Sequence, residues 1–230
     1  MPGLINYTLN RSNRKTIAIY IRNGIVEVRA PFVMPINDID RFVQIKADWI
    51  AKNLSKQQSR IKRKTAFSLT YGDTIFLRGK PIVITPNSGE TVTVNNNSLL
   101  IPDGLTPKQI KAICINKYKE EALDHIQSRV AFFAIEMGVT PAAVKINSAV
   151  TRWGSCSSKK NLNFTWRLIM ANDNVVDYVI IHELAHLIEM NHSPKFWAII
   201  AKILPNYHEL KSQLNNLHKN LAEEDWSEQK

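Results

Sequence analysis

Hydrophobic and polar residues alternate with a period of two over much of residues 4 to 30, which predicts strands. Lys15 to Arg22 and Ile25 to Ala30 flank Asn23-Gly24, a two-residue hairpin signal. From about Asn37 to Arg63 the spacing becomes helical, with a stripe of Ile39, Phe42, Val43, Lys46, Trp49 and Ile50. Residues 67 to 101 return to short apolar runs broken by Gly72-Asp73, Gly79-Lys80-Pro81, Pro86-Asn87-Ser88-Gly89 and Asn95-Asn96-Asn97, which predicts an antiparallel sheet. Thr106-Pro107-Lys108-Gln109 has the form of a capping box with proline at the first helical position. The helix it opens carries Ile110, Ile113, Tyr118, Ala122, Ile126, Val130, Phe133 and Met137 as its apolar stripe and stops at Gly138. His125 reads as a residue of that helix's surface. Strands are expected at Val144 to Trp153 and Leu162 to Arg167, where Leu162, Phe164 and Trp166 alternate with Asn163, Thr165 and Arg167. A second helix follows over VVDYVIIHELAHLI, with Val176, Ile180, Leu184, Leu187 and Ile188 turned to the core and Asn174 and Asp177 as its capping residues.

Composition narrows the setting. With 230 residues, 44% apolar and 22% charged, the chain can bury a core as one large domain or two small ones. It has no apolar stretch of membrane-spanning length, and MPGLINYTLNRSNRK lacks the apolar centre of a secretory signal. Two cysteines, Cys114 and Cys156, are too few for a disulfide framework, so a cytoplasmic protein without a membrane partner is expected. Cys156, beside Arg152, reads as a small packed or loop residue more readily than as a reactive thiol. Of the net charge of +10, residues 1 to 64 hold 13 Lys/Arg against 4 Asp/Glu, whereas residues 179 to 230 hold 5 against 7. The run Arg60-Ile61-Lys62-Arg63-Lys64 suits a solvated helix end. Without a recognition motif, this charge supports at most weak, non-specific contact with nucleic acid.

The chemistry is concentrated between His182 and His192, where three histidines and a glutamate fall within eleven residues. His182-Glu183-Leu184-Ala185-His186 is H-E-x-x-H. On a helix, residues i and i+4 lie one above the other, so His182 and His186 can share one tetrahedral zinc. Glu183 lies about 100° round from His182, placed to take a proton from water instead of ligating. A surface helix with two solvated histidines would carry charges all round, but this pair sits in an apolar run where unpartnered polar groups are costly.

Two residues compete to be the third ligand. In an unbroken helix His192 would lie roughly 15 Å along the axis from His182, too far for zinc-nitrogen bonds of about 2.1 Å. Ser193-Pro194, however, reads as an N-cap and first helical position, opening a new helix through Phe196, Trp197, Ile200 and Leu204. Asn191, which tolerates the left-handed conformation, could be the pivot. Glu189 falls on the face of His182 without any break and is the rival ligand.

The order and separation of His182 to Trp197 and of the upstream run Thr151-Arg152-Trp153-Gly154-Ser155-Cys156-Ser157 resemble the YgjP-like (DUF45) metal-dependent hydrolases. These are zinc metallopeptidases of the zincin superfamily, related to the WLM and SprT-like groups. The resemblance implies one zinc per chain on His182, His186 and His192, with Glu183 as catalytic acid and base. It also implies an α+β fold: a zincin-like core of long helix, mixed sheet and H-E-x-x-H helix, behind an N-terminal antiparallel β-rich region. The expected division is a basic α+β region over residues 1–104 and a catalytic domain over 105–230.

The expected reaction is peptide hydrolysis by zinc-activated water on a peptide or protein substrate. Arg152, Trp153, Gly154 and Ser155 form the candidate rim where an extended substrate pairs with an edge strand. No motif marks an oxyanion stabiliser. Arg152, Tyr178, Tyr207 and His208 are the candidates. Two other readings use the same centre: hydrolysis of a non-peptide substrate such as a nucleotide phosphoanhydride, and a DNA-associated, SprT-like protease tethered by the basic half.

Overall fold

The computed structural model describes residues 5–228, so Leu4, where the expected β-region begins, lies outside the described residues. The chain divides into two compact units, residues 1–67 with 222–224 and residues 68–221 with 225–230.

In the first unit, β1 (Thr8–Ser12), β2 (Ala18–Arg22) and β3 (Ile25–Pro31) form a sheet in the order β1-β3-β2. β2 and β3 are antiparallel and turn at Asn23 (φ 51°) and Gly24 (φ 79°), the positive-φ pair that an Asn-Gly hairpin requires. β1 joins β3 in parallel, because the chain runs β1 to β2 across the sheet before the hairpin returns. The expected single helix is two, α1 (Ile36–Ile45) and α2 (Ala47–Ala66), broken at Lys46, which lies at φ −97° and ψ 11°. Ile39, Val43 and Ile50 pack with Val26, Val28 and Ala30 as the core, while Trp49 of the anticipated stripe turns out to solvent. The Arg11 guanidinium closes the turn into α1 by donating to the carbonyls of Pro31, Phe32 and Met34. Two cations of the basic run are engaged at its end: Arg63 pairs with Glu223 at 2.7 Å and Arg60 donates to the Ala222 carbonyl.

The second unit opens with β4 (Thr74–Leu77), β5 (Lys80–Asn87), β6 (Thr93–Val94) and β7 (Ser98–Pro102), ordered β4-β5-β7-β6. β5 and β7 are parallel, so the sheet is mixed and not the antiparallel one its turns suggested. By compactness these strands belong with the second unit, although their sequence position is within residues 1–104. α3 (Pro107–Met137) begins at the reciprocal Thr106–Gln109 capping box and ends on Gly138 at φ 64°. Ile110, Tyr118, Ala122, Ile126, Val130 and Phe133 of its stripe are buried. β8 (Ala143–Asn147), β9 (Gly154–Cys156) and β10 (Asn161–Thr165) then form a sheet ordered β8-β10-β9, parallel between β8 and β10 and antiparallel between β9 and β10. Trp166 to Met170, of which Trp166 and Arg167 were expected in a strand, form a 3-10 turn.

α4 (Asp173–Ala185), α5 (Pro194–Ile203) and α6 (Tyr207–Leu221) complete the unit. α4 is held at its start from two sides. The Asn172 side chain accepts from the Val175 N–H at 3.0 Å, so the cap lies two residues before the anticipated Asn174. The tip of the β4–β5 hairpin, Arg78 (φ 52°) and Gly79 (φ 73°), bonds back to the carbonyls of Ile169 and Met170. A Cβ on Gly79 would lie 2.7 Å from that of Asn172, so only glycine fits this approach. Arg78 then makes a two-pronged ion pair with Asp173, and Arg129 of α3 makes another with Asp177 at 2.7 Å for each bond. His125, expected on the surface, has its side chain only 12% exposed, 3.2 Å from Asp173. Among the described residues, no helix is long and apolar enough to cross a membrane.

Candidate metal centre

α4 is buried on almost every side. Val175 to Ile181 are all buried, as are Glu183, Leu184 and Ala185. His182 is the break in this run, and it faces His186, which caps the helix one turn later. The helix ends here, so Ile188, expected on the core face, is 52% exposed. The chain then folds back through a turn in which the Ser193 N–H donates to the Asn191 carbonyl at 2.7 Å. The turn needs no left-handed residue, and Asn191 is not the pivot expected of it. Ser193 caps α5 by accepting from the Phe196 N–H, with Pro194 at the first helical position.

This reversal returns His192 to the helix it left. Its Nε2 lies 3.1 Å from His182 Nε2, and one nitrogen from each of His182, His186 and His192 falls within 4.8 Å of the others. Nitrogens around one tetrahedral zinc at about 2.1 Å stand roughly 3.4 Å apart, so these three imidazoles suit such an ion in number, chemistry and spacing. His186 Nδ1–H donates to the Glu189 carbonyl at 3.3 Å, which fixes its tautomer and leaves Nε2 with a free lone pair. The Glu189 carboxylate accepts from the Asn191 N–H and stands outside the three-nitrogen group. Burial pushes the His182 pKa down to about 3, assisted by His186, His192 and Lys211. It also lowers His186. Both are thereby held in the neutral form that ligates metal.

Phe196 underlies the cluster: its ring centroid is 4.9, 4.5 and 4.7 Å from those of His182, His186 and His192. Trp197 stacks with both His192 and Tyr207, and Lys211 lies 5.0 Å from the Trp197 ring centre. The sequence marked Phe196 and Trp197 only as apolar members of the next helix. Lys211 carries no signal a sequence could offer.

Glu183, on the same helix, is 6% exposed. Burial alone raises its carboxyl to about 7. It lies against β9: a Cβ built on Gly154 would come within 2.6 Å of its Cγ and Oε1. Of the candidate rim, Gly154 and Ser155 are therefore on the strand beside Glu183, and Trp153 precedes it, its carbonyl accepting from the Thr165 N–H. Arg152 stays exposed. The Cys156 thiol is raised by burial and then by the Glu183 charge, the reverse of what a reactive thiolate needs.

The oxyanion candidates separate as well. Tyr178 is buried with its ring 6.1 Å from that of His182, and its hydroxyl is pushed up to about 12 by burial, then by Tyr207 and Glu183. Tyr207 reaches the cluster through Trp197, and His208, exposed, touches Tyr207.

A comparison with curated proteins finds no match. Among solved structures, the metallopeptidase zymogens Pyrococcus abyssi abylysin and Methanocaldococcus jannaschii jannalysin resemble part of the chain. Each is 20% identical with a TM-score of 0.37, over 42% and 40% of this chain and 94% of theirs. The profile of the YgjP-like metallopeptidase domain matches residues 15–217, most of the chain. With its α+β architecture and three converging imidazoles, the chain belongs to the YgjP-like metallopeptidases, which are hydrolases.

Proposed function

We propose that the protein is a zinc metallopeptidase in which His182, His186 and His192 hold one ion per chain and Glu183 handles the proton. The observation that carries this reading is the convergence of three imidazole nitrogens, two from α4 and its cap and one from the turn that follows, with the buried carboxyl of Glu183 on the same helix as the first. When bound, the ion supplies Lewis acidity to the scissile carbonyl and makes water more acidic. Glu183 accepts the proton that the attacking water loses and returns it to the leaving amine. Burial suits it to both halves, because a carboxylate withdrawn from water is a stronger base than a solvated one, and the acid it becomes can still give the proton up. β9 is an edge strand of its sheet, and the substrate main chain pairs with it at Gly154 and Ser155. Tyr178 is favoured over Tyr207 and His208 for the developing oxyanion, because its ring neighbours His182 directly. All of these groups fall within residues 105–230, which we take as the catalytic region, with the basic residues 1–104 outside the chemistry.

The experiment is metal analysis of the purified protein together with hydrolysis of an unfolded protein such as casein, before and after chelation. Close to one zinc per chain is expected, with activity lost on chelation and restored by zinc. Protein that neither contains nor takes up zinc would overturn the assignment.

A further inference from the structure

We propose that Gly154 is the positioning residue for Glu183: the missing side chain on β9 is the slot that holds the carboxylate. This rests on the reading of Glu183 as proton acceptor given above.

Nothing in the backbone demands glycine at this position. Gly154 is absent from the positive-φ glycines, Gly24, Gly72, Gly79, Gly104 and Gly138, so an L-residue could adopt its conformation. In a strand, alanine at such a site ordinarily stabilises, by narrowing the unfolded ensemble. The obstacle is Glu183. An added Cβ would stand 2.6 Å from Cγ, 2.6 Å from Oε1 and 2.8 Å from Cδ, inside the closest approach of real carbon contacts. The three nearest atoms all belong to this one side chain, and none to backbone. α4 cannot withdraw, since its neighbours at Val179, Ile180, Ile181, Leu184 and Ala185 are buried. The strand cannot withdraw freely either, because Gly154 is paired with Phe164 of β10, whose side chain is fully buried. A methyl group at residue 154 therefore drives the Glu183 carboxylate off its place, and a displacement of this size at a proton-transferring group costs rate more than binding.

The arrangement also puts the carboxylate directly against the main chain of the edge strand. Position along β9 and position relative to Glu183 are thus one coordinate, and a peptide paired with the strand is in register with the base by construction.

The test is a thermal-unfolding cycle on chelated, metal-free protein, joined to kinetics on the zinc-loaded form. Gly154→Ala is expected to lower the Tm by a few degrees in the wild-type background and to leave it unchanged or raised in the Glu183→Ala background, where Cγ, Cδ and Oε1 are gone. Equal losses in both backgrounds would overturn the inference. Should Gly154→Ala alone not fold, recovery of folding in the Gly154→Ala/Glu183→Ala double variant supports it, and failure of both overturns it. With casein as substrate, kcat of Gly154→Ala is expected to fall about 10- to 100-fold at unchanged zinc content and KM. A raised KM with unchanged kcat would leave Gly154 only its part in pairing with the substrate main chain and sink the positioning role. Wild-type turnover in Glu183→Gln is a separate result: it removes the proton-transfer reading while the unfolding cycle still reports whether the slot exists.

Discussion

Around His182 and Glu183, α4 is packed on nearly all sides, and ion pairs from Arg78 and Arg129 fasten its first two turns. His192, by contrast, stands exposed on the turn between α4 and α5, placed by a Ser193 cap, the turn's own hydrogen bonds and the rings of Phe196 and Trp197. Two ligands and the candidate base therefore come from a helix whose position the core decides. The third comes from eight residues of local geometry. The helix contributes rigidity, so its groups are in place with or without an ion. The turn contributes closure, and its hold on the ion is the part that can be weakened without touching the fold.

The largest expected effect falls on the helix side and leaves the site intact. Glu183→Gln keeps the shape of the buried side chain but cannot accept a proton. Hydrolysis should drop about 10²- to 10⁴-fold, towards the upper end because the same residue serves both halves of the reaction. Zinc content and Tm should hold. Single-turnover assays beside metal analysis check this, and retained turnover at full zinc would remove Glu183 from the chemistry.

Replacing ligands divides the two regions next. His192→Ala should take zinc from about one per chain to near none, while the Tm of the metal-free protein barely moves, because the residue lies outside the core. His182→Ala should lose zinc as well but also shift that Tm, since its ring contacts Tyr178 and Phe196. Glu189→Gln should retain the ion. Zinc retained in His192→Ala and lost in Glu189→Gln would reverse the ligand set.

A smaller effect is expected from the cap that aims the turn. Ser193→Ala removes the acceptor for the Phe196 N–H and should cost about 1 kcal/mol of local stability. Coupled to metal binding, this appears as a loss of zinc affinity of about fivefold. Competition with a chromogenic chelator measures it, and unchanged affinity would mean that the aromatic rings alone hold His192.

The same contrast governs what the sequence could disclose. Elements specified by their own residues were legible: the Thr106–Gln109 box, the Gly138 stop, the Asn23-Gly24 turn and the Ser193-Pro194 start all bind backbone within a few positions. Features that depend on distant partners were not. Turn residues show where β5 and β7 end but not that these two pair directly and in parallel, with β6 on the outer side of β7. Asn172 and Asn174 are equivalent as letters, and the hairpin tip at Arg78 and Gly79 marks the first as the cap. Gly154 could be read as a rim residue, but its approach to Glu183 exists only once α4 and β9 are packed.

The smallest expected effect concerns the anchor at the start of α4. The Asp173 carboxyl is held below its usual range by hydrogen bonding to Arg78, against the opposing effect of burial. A carboxyl whose pKa is lower folded than unfolded contributes stability above its unfolded value and loses it as pH falls through the folded one. The Arg78–Asp173 pair should therefore be at full strength at neutral pH and fade in acid. Both partners are more than 40% exposed, so screening keeps the contribution small. Asp173→Asn should lower the Tm slightly at pH 7, by less than Ser193→Ala lowers zinc binding in free-energy terms, and the gap to wild type should close as pH drops below the carboxylate range. Added salt should narrow it too. A Tm difference that stays constant from pH 7 into acid would show that Asp173 acts through packing or as an uncharged hydrogen-bond partner, and that the core alone, without this ion pair, sets the position of the metal helix.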